Sequence, residues 1–285
     1  MIRTLDASML NLPWSAVDLI PEAAARGFQA VSLTPDLLED PSRAARAGEL
    51  ARAYGLGFGL LPMPADFYHW ELDDADFQKA LEELKRRAAV AEKLGAGTAY
   101  NHVWSSSTRE FDENFAWHVK RIAAVSGTLR DYGIRYGLEF LGPHELRSFA
   151  PFEFVHSLDG VLSLADAAGG TAGIAFDTFH WYTSGNGDEK DLLTMEDKIA
   201  RLVCVHLNDA VPGVPFDQQK DMQRRFPMET GVIDSRSILR RFRERGADVL
   251  YMIEPFEPGR TIFHALSPAE AASRAEEIMR RVEGV

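Results

Sequence analysis

The hydrophobic positions of this chain follow two alternating patterns. Short runs rich in β-branched and aromatic residues are separated by longer segments in which apolar residues recur every three or four positions. The first pattern is typical of buried strands, and the second is typical of helices that bury one face. We interpret eight runs as strands, and they read TLDAS, AVSLTP, GFGLLPM, GTAYNHVW, RYGLEFL, AGIAFDTF, LVCVHLN and VLYMIEP.

The segments between these runs predict helices with ordinary start and stop signals. Ser15, Ser42 and Ser267 suit helix N-caps, and glycines such as Gly55 and Gly95 suit helix ends. Eight strand–helix units without a break in composition predict an α/β fold, a single-domain (β/α)8 TIM barrel over residues 1–285. The alternative is an open, doubly wound sheet. That fold usually carries a glycine-rich phosphate loop after its first strand, and this sequence has none there.

Composition and charge narrow the function classes. The chain has 285 residues, close to the roughly 250 of a typical TIM barrel. Its formal net charge of −12 argues against nucleic-acid binding and against an anionic membrane surface, because both reward lysine and arginine. Cys204 is the one cysteine and allows no disulfide within the chain, and the N-terminus lacks a signal-peptide pattern. We therefore expect a cytoplasmic protein.

Four ligand-type side chains stand at the ends of the last four predicted strands. Glu139 ends YGLEF, Asp177 ends GIAFD, His206 ends VCVH and Glu254 ends LYMIE. A lone carboxylate at a strand end is usually a solvated rim residue. Four such residues at equivalent ends of apolar strands, which surround one mouth of a barrel, instead predict a metal site. Three carboxylates and one imidazole suit one divalent cation, with Mn²⁺ favoured and Mg²⁺, Co²⁺ or Zn²⁺ as alternatives.

These motifs resemble those of a known family. GLEFLGPHE, FDTFH, VHLNDA and IEPF, in this order, are similar to motifs of the xylose isomerase-like TIM barrel superfamily. The resemblance covers most of the chain and is strongest from about Tyr136 to Phe256. The most similar branch is the sugar phosphate isomerases and epimerases, which include ketose 3-epimerases and inosose isomerases and dehydratases.

The resemblance implies roles for individual residues. The metal ligands of the family fall on the four strand-end residues, and the two metal-bound glutamates of the epimerases, which transfer protons, fall on Glu139 and Glu254. Contacts with sugar hydroxyls fall on Glu145, six residues after the first glutamate, and on His180, three residues after the aspartate. Relatives are often dimers or tetramers, so the resemblance also implies a homo-oligomer.

One position departs from the epimerase pattern. Epimerases place an arginine six residues after the metal histidine, where this chain has Pro212, and HLNDA looks more like the inosose isomerase side of the family. Arg225 is our candidate for the replacement positive charge. It lies in a segment without clear periodicity, from Asn208 to about Ile233. We expect the part of this segment from Val211 to Thr230 to cover the mouth and to become ordered when substrate binds, because loops of such length are usually functional.

Aromatic residues after the third and fourth predicted strands are further candidates. His102 and Trp104, in YNHVW, are predicted to line the pocket and contact substrate, although plain core packing is an equal alternative for Trp104. His69 and Trp70, in FYHW, are candidates for a lid over the site.

These observations predict a metal-dependent sugar isomerase or epimerase. Its substrate would be a small polyhydroxy ketone or aldehyde, or the phosphate of one. Proton transfer beside a carbonyl builds an enediolate, which a cation stabilises while carboxylates exchange the protons. The alternative is an inosose dehydratase-type lyase that uses the same metal and the same proton abstraction. A phosphodiester hydrolase of the endonuclease branch is a less favoured alternative, because it would need more histidines and a basic face for DNA. A sugar-binding protein without catalytic activity is also less favoured, because it would not need all four ligands.

Overall fold

The strands of the chain form one curled parallel sheet and a small ribbon. The computed structural model describes residues 1–284. Within them the strands are β1 (Ile2–Leu5), β2 (Ala30–Val31), β3 (Gly57–Phe58), β4 (Thr98–Val103), β5 (Ser106–Ser107), β6 (Arg135–Phe140), β7 (Phe152–Glu153), β8 (Gly173–Asp177), β9 (Leu202–Leu207) and β10 (Leu250–Ile253). Eight of them pair in the order β3–β2–β1–β10–β9–β8–β6–β4, all parallel, while β5 and β7 pair antiparallel.

The two edges of the eight-stranded sheet meet and close a barrel. Just after β3, Leu60 forms a parallel bridge with Thr98 of β4. The amide of Leu61 then donates to the carbonyl of Thr98 at 2.9 Å. The TIM barrel prediction is confirmed, and the doubly wound alternative is wrong, because an open sheet would leave these edges unpaired.

Helices cover the outside of the barrel. In residues 1–284 they are α1 (Ala16–Ala25), α2 (Pro35–Glu39), α3 (Pro41–Tyr54), α4 (Asp74–Leu94), α5 (Phe111–Arg130), α6 (His144–Arg147), α7 (Leu158–Ala167), α8 (Thr178–Gly185), α9 (Glu189–Asp197), α10 (Ser235–Glu244), α11 (Gly259–His264) and α12 (Pro268–Glu283). Short 3₁₀ helices span Ile199–Arg201 and Phe216–Gln218. No helix in this part of the chain is both long and apolar enough to cross a bilayer.

The helix caps agree with the sequence except at one helix. Ser15 and Ser267 form capping boxes, and Gly55 and Gly95 adopt the left-handed conformation at the ends of α3 and α4. The prediction that Ser42 caps a helix is wrong. Asp40 caps α3 instead, because Pro41 already occupies the first helical position and the Asp40 carboxylate accepts from the Ser42 amide.

Side-chain alternation divides each strand between two apolar layers. One small cluster fills the inside of the barrel and includes Ala175 of β8, Cys204 of β9 and Met252 of β10. A much larger cluster lies between the strands and the helices and includes Phe176 and Val205, the next residues along β8 and β9. The period of two therefore determines which side chains face the barrel axis.

Candidate metal centre and active site

The same alternation brings polar side chains to the mouth of the barrel. Asp177 follows Ala175 on the inner face of β8, and His206 follows Cys204 on the inner face of β9. The glutamates at the ends of β6 and β10 occupy equivalent positions. Because these are the last inward positions of their strands, their polar atoms lie above the apolar interior and not in the helical layer.

Glu139, Asp177, His206 and Glu254 converge on one point. Each offers one ligand atom, these atoms all lie within 4.8 Å of one another, and all four residues are buried. A divalent cation bonded at about 2.0–2.4 Å would separate its ligand atoms by up to about 4–4.8 Å. The structure thus brings together the four predicted ligands, and their spacing and chemistry fit such a cation.

Asp177 lies in a dense set of hydrogen-bond donors. Its Oδ1 accepts from the amides of Phe179 at 2.6 Å and His180 at 2.9 Å, so the side chain caps the N-terminus of α8. Its Oδ2 accepts from Asn208 Nδ2 at 2.8 Å and from Arg224 Nη1 at 3.0 Å. The strand, the helix and the following strand therefore fix the orientation of this carboxylate.

The two glutamates have different electrostatic surroundings. Burial favours the neutral form of Glu139, but His206 and His102 reverse this and hold the pKa of Glu139 well below its usual value. Burial and the Glu139 carboxylate together raise the pKa of Glu254. One ionised glutamate thus faces a second one that is harder to ionise, although the Arg224 guanidinium 3.1 Å from Glu254 partly offsets this.

His206 presents its Nδ1 atom to these carboxylates. Nδ1 lies 2.8 Å from Glu139 Oε1 and 3.6 Å from Glu254 Oε2, while Nε2 lies 3.5 Å from the Cys204 sulfur. Burial lowers the pKa of His206, but Glu139 and the other nearby acidic groups raise it well above its usual value. The acidic groups around His206 therefore favour its protonated form while no metal is bound.

Metal affinity is expected to rise with pH because His206 must lose this proton to become a ligand. Below the raised pKa, binding releases the His206 proton, and Glu254, whose pKa is raised to about 8, gives up a second one, so the dissociation constant for Mn²⁺ should fall at least about tenfold per pH unit. Titration of metal-stripped protein with Mn²⁺ at several pH values between 6 and 8 measures the slope. A dissociation constant that does not change with pH over this range would contradict the assignment of His206 as a ligand.

A cavity opens beside the four-residue cluster. It measures about 290 Å³, and its polar lining includes Asp6, Asp66, Asn101 and His102. His102 links the cavity to the cluster, because its Nε2 lies 3.0 Å from Glu139 Oε2. Small-molecule sites begin at about 300 Å³, so the cavity suits a small polar compound.

The predicted aromatic candidates lie near this cavity. His102 lines it, as expected. Trp104 donates its indole N–H to Asp66, a cavity residue, and its ring lies 5.5 Å from Trp70 and 6.2 Å from Phe149. Trp104 therefore belongs to a surface aromatic cluster and not to the core. Its contact with substrate stays a prediction.

Glu145 and His180 have contacts that the sequence did not indicate. Glu145 Oε1 accepts from the amide of Asp221 at 2.8 Å, and Oε2 lies 3.0 Å from Lys220 Nζ. His180 Nδ1 accepts from the amide of Gly142 at 3.2 Å, and burial lowers the pKa of His180. In this structure Glu145 holds the loop that follows β9, whereas His180 is a buried neutral imidazole beside the metal cluster.

The positive charge in the centre belongs to Arg224 and not to Arg225. Arg225 pairs through its backbone with Asp209, in an isolated antiparallel bridge. Neighbouring residues of an extended chain face opposite ways, and the guanidinium that enters the centre is that of Arg224. Arg224 Nη1 lies 3.0 Å from Asp177 Oδ2 and 3.1 Å from Glu254 Oε2. Arg224, which the sequence analysis did not single out, therefore brings positive charge to the cluster, and a contact of Arg225 with substrate stays a prediction.

The segment between β9 and α10, residues 208–234, is closed at its base by one carboxylate. We call this segment the β9–α10 loop. Asp209 accepts from the amides of Thr230 and Gly231 through Oδ2 and from Ile233 through Oδ1, all at 2.8–2.9 Å. From this base the loop reaches Glu145 at the entrance to α6. It therefore extends across the cluster, and its ordering by substrate stays a prediction.

Comparison with known proteins places this centre in a family. The family model of xylose isomerase-like TIM barrels matches residues 20–282. A xylose isomerase domain protein from Alicyclobacillus acidocaldarius subsp. acidocaldarius has a similar structure, with a TM-score of 0.79, 24% identity and complete coverage of both chains. No protein of curated function gives a significant match.

Two further solved structures are similar. The IolI protein with a binding zinc atom has a TM-score of 0.78 and 17% identity, and the match covers 99% of this chain and 98% of that one. D-psicose 3-epimerase with D-tagatose from Clostridium cellulolyticum H10 has a TM-score of 0.73 and 14% identity, with 100% and 99% covered. At such identities these likenesses show the fold alone. The match of the family model over most of the chain shows more: the protein belongs to the xylose isomerase-like TIM barrel family.

Proposed function

We propose that this protein is a divalent-metal-dependent isomerase or epimerase of a small polyhydroxy ketone or aldehyde, or of its phosphate. The observation that carries the proposal is the buried cluster of three carboxylates and one imidazole beside a polar cavity. A bound cation would stabilise the negative charge of an enediolate.

The two glutamates occupy the positions that proton transfer needs. The strands of the cluster follow one another around the barrel as β10, β9, β8 and β6, so Glu254 and Glu139 form its outer pair. Two carboxylates at opposite ends of the cluster can reach a substrate held between them from two sides. One can remove a proton from carbon while the other returns one.

The cavity lining suits a polyhydroxy substrate. Asp6 and Asp66 offer acceptors for hydroxyl groups, and His102 adds an imidazole to the lining. The similar epimerase from Clostridium cellulolyticum H10 is named for the ketose D-psicose, and its structure contains D-tagatose. We therefore take ketoses as the first compounds to test.

The test is a screen of ketoses, ketose phosphates and inososes with added Mn²⁺, read by product chromatography. The expected result is a product isomeric with its substrate. In D₂O the product should carry deuterium at the reprotonated carbon, because the base exchanges its proton with solvent.

Other outcomes would change the assignment. A product that has lost water would make the protein an inosose dehydratase-type lyase. Isomerisation without solvent exchange, together with full activity of glutamine variants at both glutamates, would favour a hydride shift. Metal-loaded protein that converts none of these compounds would overturn the proposal.

A further inference from the structure

We propose that Arg224 is a built-in cation that competes with the metal for Asp177 and Glu254. Metal binding then displaces its guanidinium, together with the part of the β9–α10 loop that carries it. The inference rests on the metal-binding part of the proposed function and is independent of which sugar reacts. The β9–α10 loop would thereby sense whether the centre is loaded.

The first support is the position of the guanidinium. Arg224 is 2% exposed and its Nη1 atom lies between two of the four proposed ligands, 3.0 Å from Asp177 Oδ2 and 3.1 Å from Glu254 Oε2. The rings of Phe179 and Phe256 flank it, with their centroids 4.8 Å and 4.3 Å from the guanidinium carbon. Arg224 thus supplies positive charge to the same oxygens that a metal would use.

The second support is the number of acceptor positions on Asp177. A carboxylate offers about four lone-pair sites. Here Oδ1 accepts from two backbone amides, and Oδ2 accepts from Asn208 and Arg224. All of the sites are in use, so a metal can bond to Asp177 only if one donor leaves.

Arg224 is the donor that can leave. The two amides belong to the first turn of α8, and Asn208 is held beside that turn by hydrogen bonds between its backbone and Thr178 Oγ1. Arg224 lies on the β9–α10 loop and is itself a cation, which a divalent ion at the same oxygens would repel. Its departure relieves the repulsion and frees an oxygen.

The guanidinium has a partner to which it can withdraw. Arg224 Nη2 donates to Asp221 Oδ1 at 2.7 Å, and Nε donates to the Asp221 carbonyl at 3.0 Å. A third neighbour of the guanidinium, His180, does not hold it in place. His180 Nδ1 accepts from the Gly142 amide, so the neutral ring carries its hydrogen on Nε2, which lies 3.1 Å from Arg224 Nη2. Two donors face each other there, which favours withdrawal toward Asp221.

A shift of Arg224 reaches the rest of the loop through Asp221. The Asp221 amide donates to Glu145, and the Met222 carbonyl accepts from the Glu257 amide at 3.2 Å. These are the contacts that hold the loop over the centre. Displacement of the guanidinium should therefore loosen the segment from Lys220 to Phe226.

The test compares Arg224→Gln with Arg225→Gln in metal-stripped, full-length protein. Both variants remove one positive charge from the same loop, and only the first removes the competing guanidinium. Arg224→Gln should bind Mn²⁺ about tenfold or more tightly than wild type, since a charged hydrogen bond no longer has to break. Arg225→Gln should bind within about threefold of wild type, as expected for a distant charge.

Hydrogen exchange provides the second measurement. In wild type, Mn²⁺ should accelerate exchange of the amides from Lys220 to Phe226, and in Arg224→Gln it should leave them unchanged. If Arg224→Gln does not fold, Asp221→Asn carries the test, because loss of the receiving carboxylate should weaken Mn²⁺ binding about tenfold.

Several results would overturn the inference. They are weaker or unchanged Mn²⁺ binding by Arg224→Gln, wild-type binding by Asp221→Asn, or a wild-type loop whose exchange Mn²⁺ does not accelerate. Neither measurement involves turnover, so a protein that converts no sugar could still give both expected results. A wild-type protein that binds no divalent cation would overturn this inference together with the metal requirement.

Discussion

Replacing Glu139 or Glu254 with glutamine is expected to lower turnover about 10²–10⁴-fold, the usual scale for a lost general base. Glutamine keeps the size of the side chain and one oxygen ligand but cannot accept the proton. Both residues are buried and their ligand atoms lie within the 4.8 Å cluster, so the substitution also removes one negative charge from it. The rate is measured at saturating Mn²⁺, on the substrate identified by the screen, because metal affinity will also fall.

Glu153→Gln is the matched control for these variants. Glu153 is an exposed glutamate of β7, which lies outside the eight-stranded sheet, and its replacement should leave the rate unchanged. Near-wild-type turnover by metal-saturated Glu139→Gln and Glu254→Gln would show that both glutamates are ligands only. His180 would then be the next candidate for the base.

A second large effect is expected at Gly142, where a methyl group has no room. An added Cβ would lie 2.2 Å from the His180 carbonyl and 2.5 Å from Thr183 Oγ1, both in α8. Gly142→Ala must therefore push α8 away from the end of β6. We expect it to lower the free energy of unfolding by roughly 3 kcal/mol, as in severe overpacking, and to weaken metal binding. Urea denaturation and a Mn²⁺ titration measure the two effects.

Gly127→Ala is the matched control for this steric effect. Gly127 lies within α5, and an added Cβ there meets no atom within 4 Å. Alanine is the better helix former, so this variant should be more stable by about 0.5–1 kcal/mol. Equal stability of the two variants would mean that α8 can move away at little cost, and that its position matters less to the centre than the contacts imply.

The proposed metal ligands could be predicted from sequence because strands repeat with a period of two. An apolar strand that ends in a carboxylate or imidazole places that group at the barrel mouth once the barrel is formed. The positions of Asp177, His206 and the two glutamates at the mouth could therefore be predicted without knowing the conformation of any loop. The barrel itself followed from eight repeats of the same strand–helix pattern, whose helices are further marked by serine caps such as Ser15.

The contacts made by loops could not be predicted in the same way. Arg224 and Arg225 are adjacent and chemically identical, and nothing in their sequence neighbourhood indicates that Arg224 is the one that contacts Asp177 and Glu254. Glu145 was predicted to contact sugar but binds the amide of Asp221, which is 76 residues away in sequence. Each case depends on a partner distant in sequence that no local pattern specifies.

The Asp209 side chain joins the two ends of the β9–α10 loop. Its carboxylate binds amides on the far side of the loop, and Thr230 Oγ1 donates to the Ala210 carbonyl at the same point. Residues 211–223, which lie outside the bridge between Asp209 and Arg225, can therefore change in length or composition without moving β9 or α10, since lengthening a closed loop costs little entropy. Exchange of this segment between relatives, by evolution or by design, could alter which molecules enter the barrel. The strands that carry the four proposed ligands would remain in place.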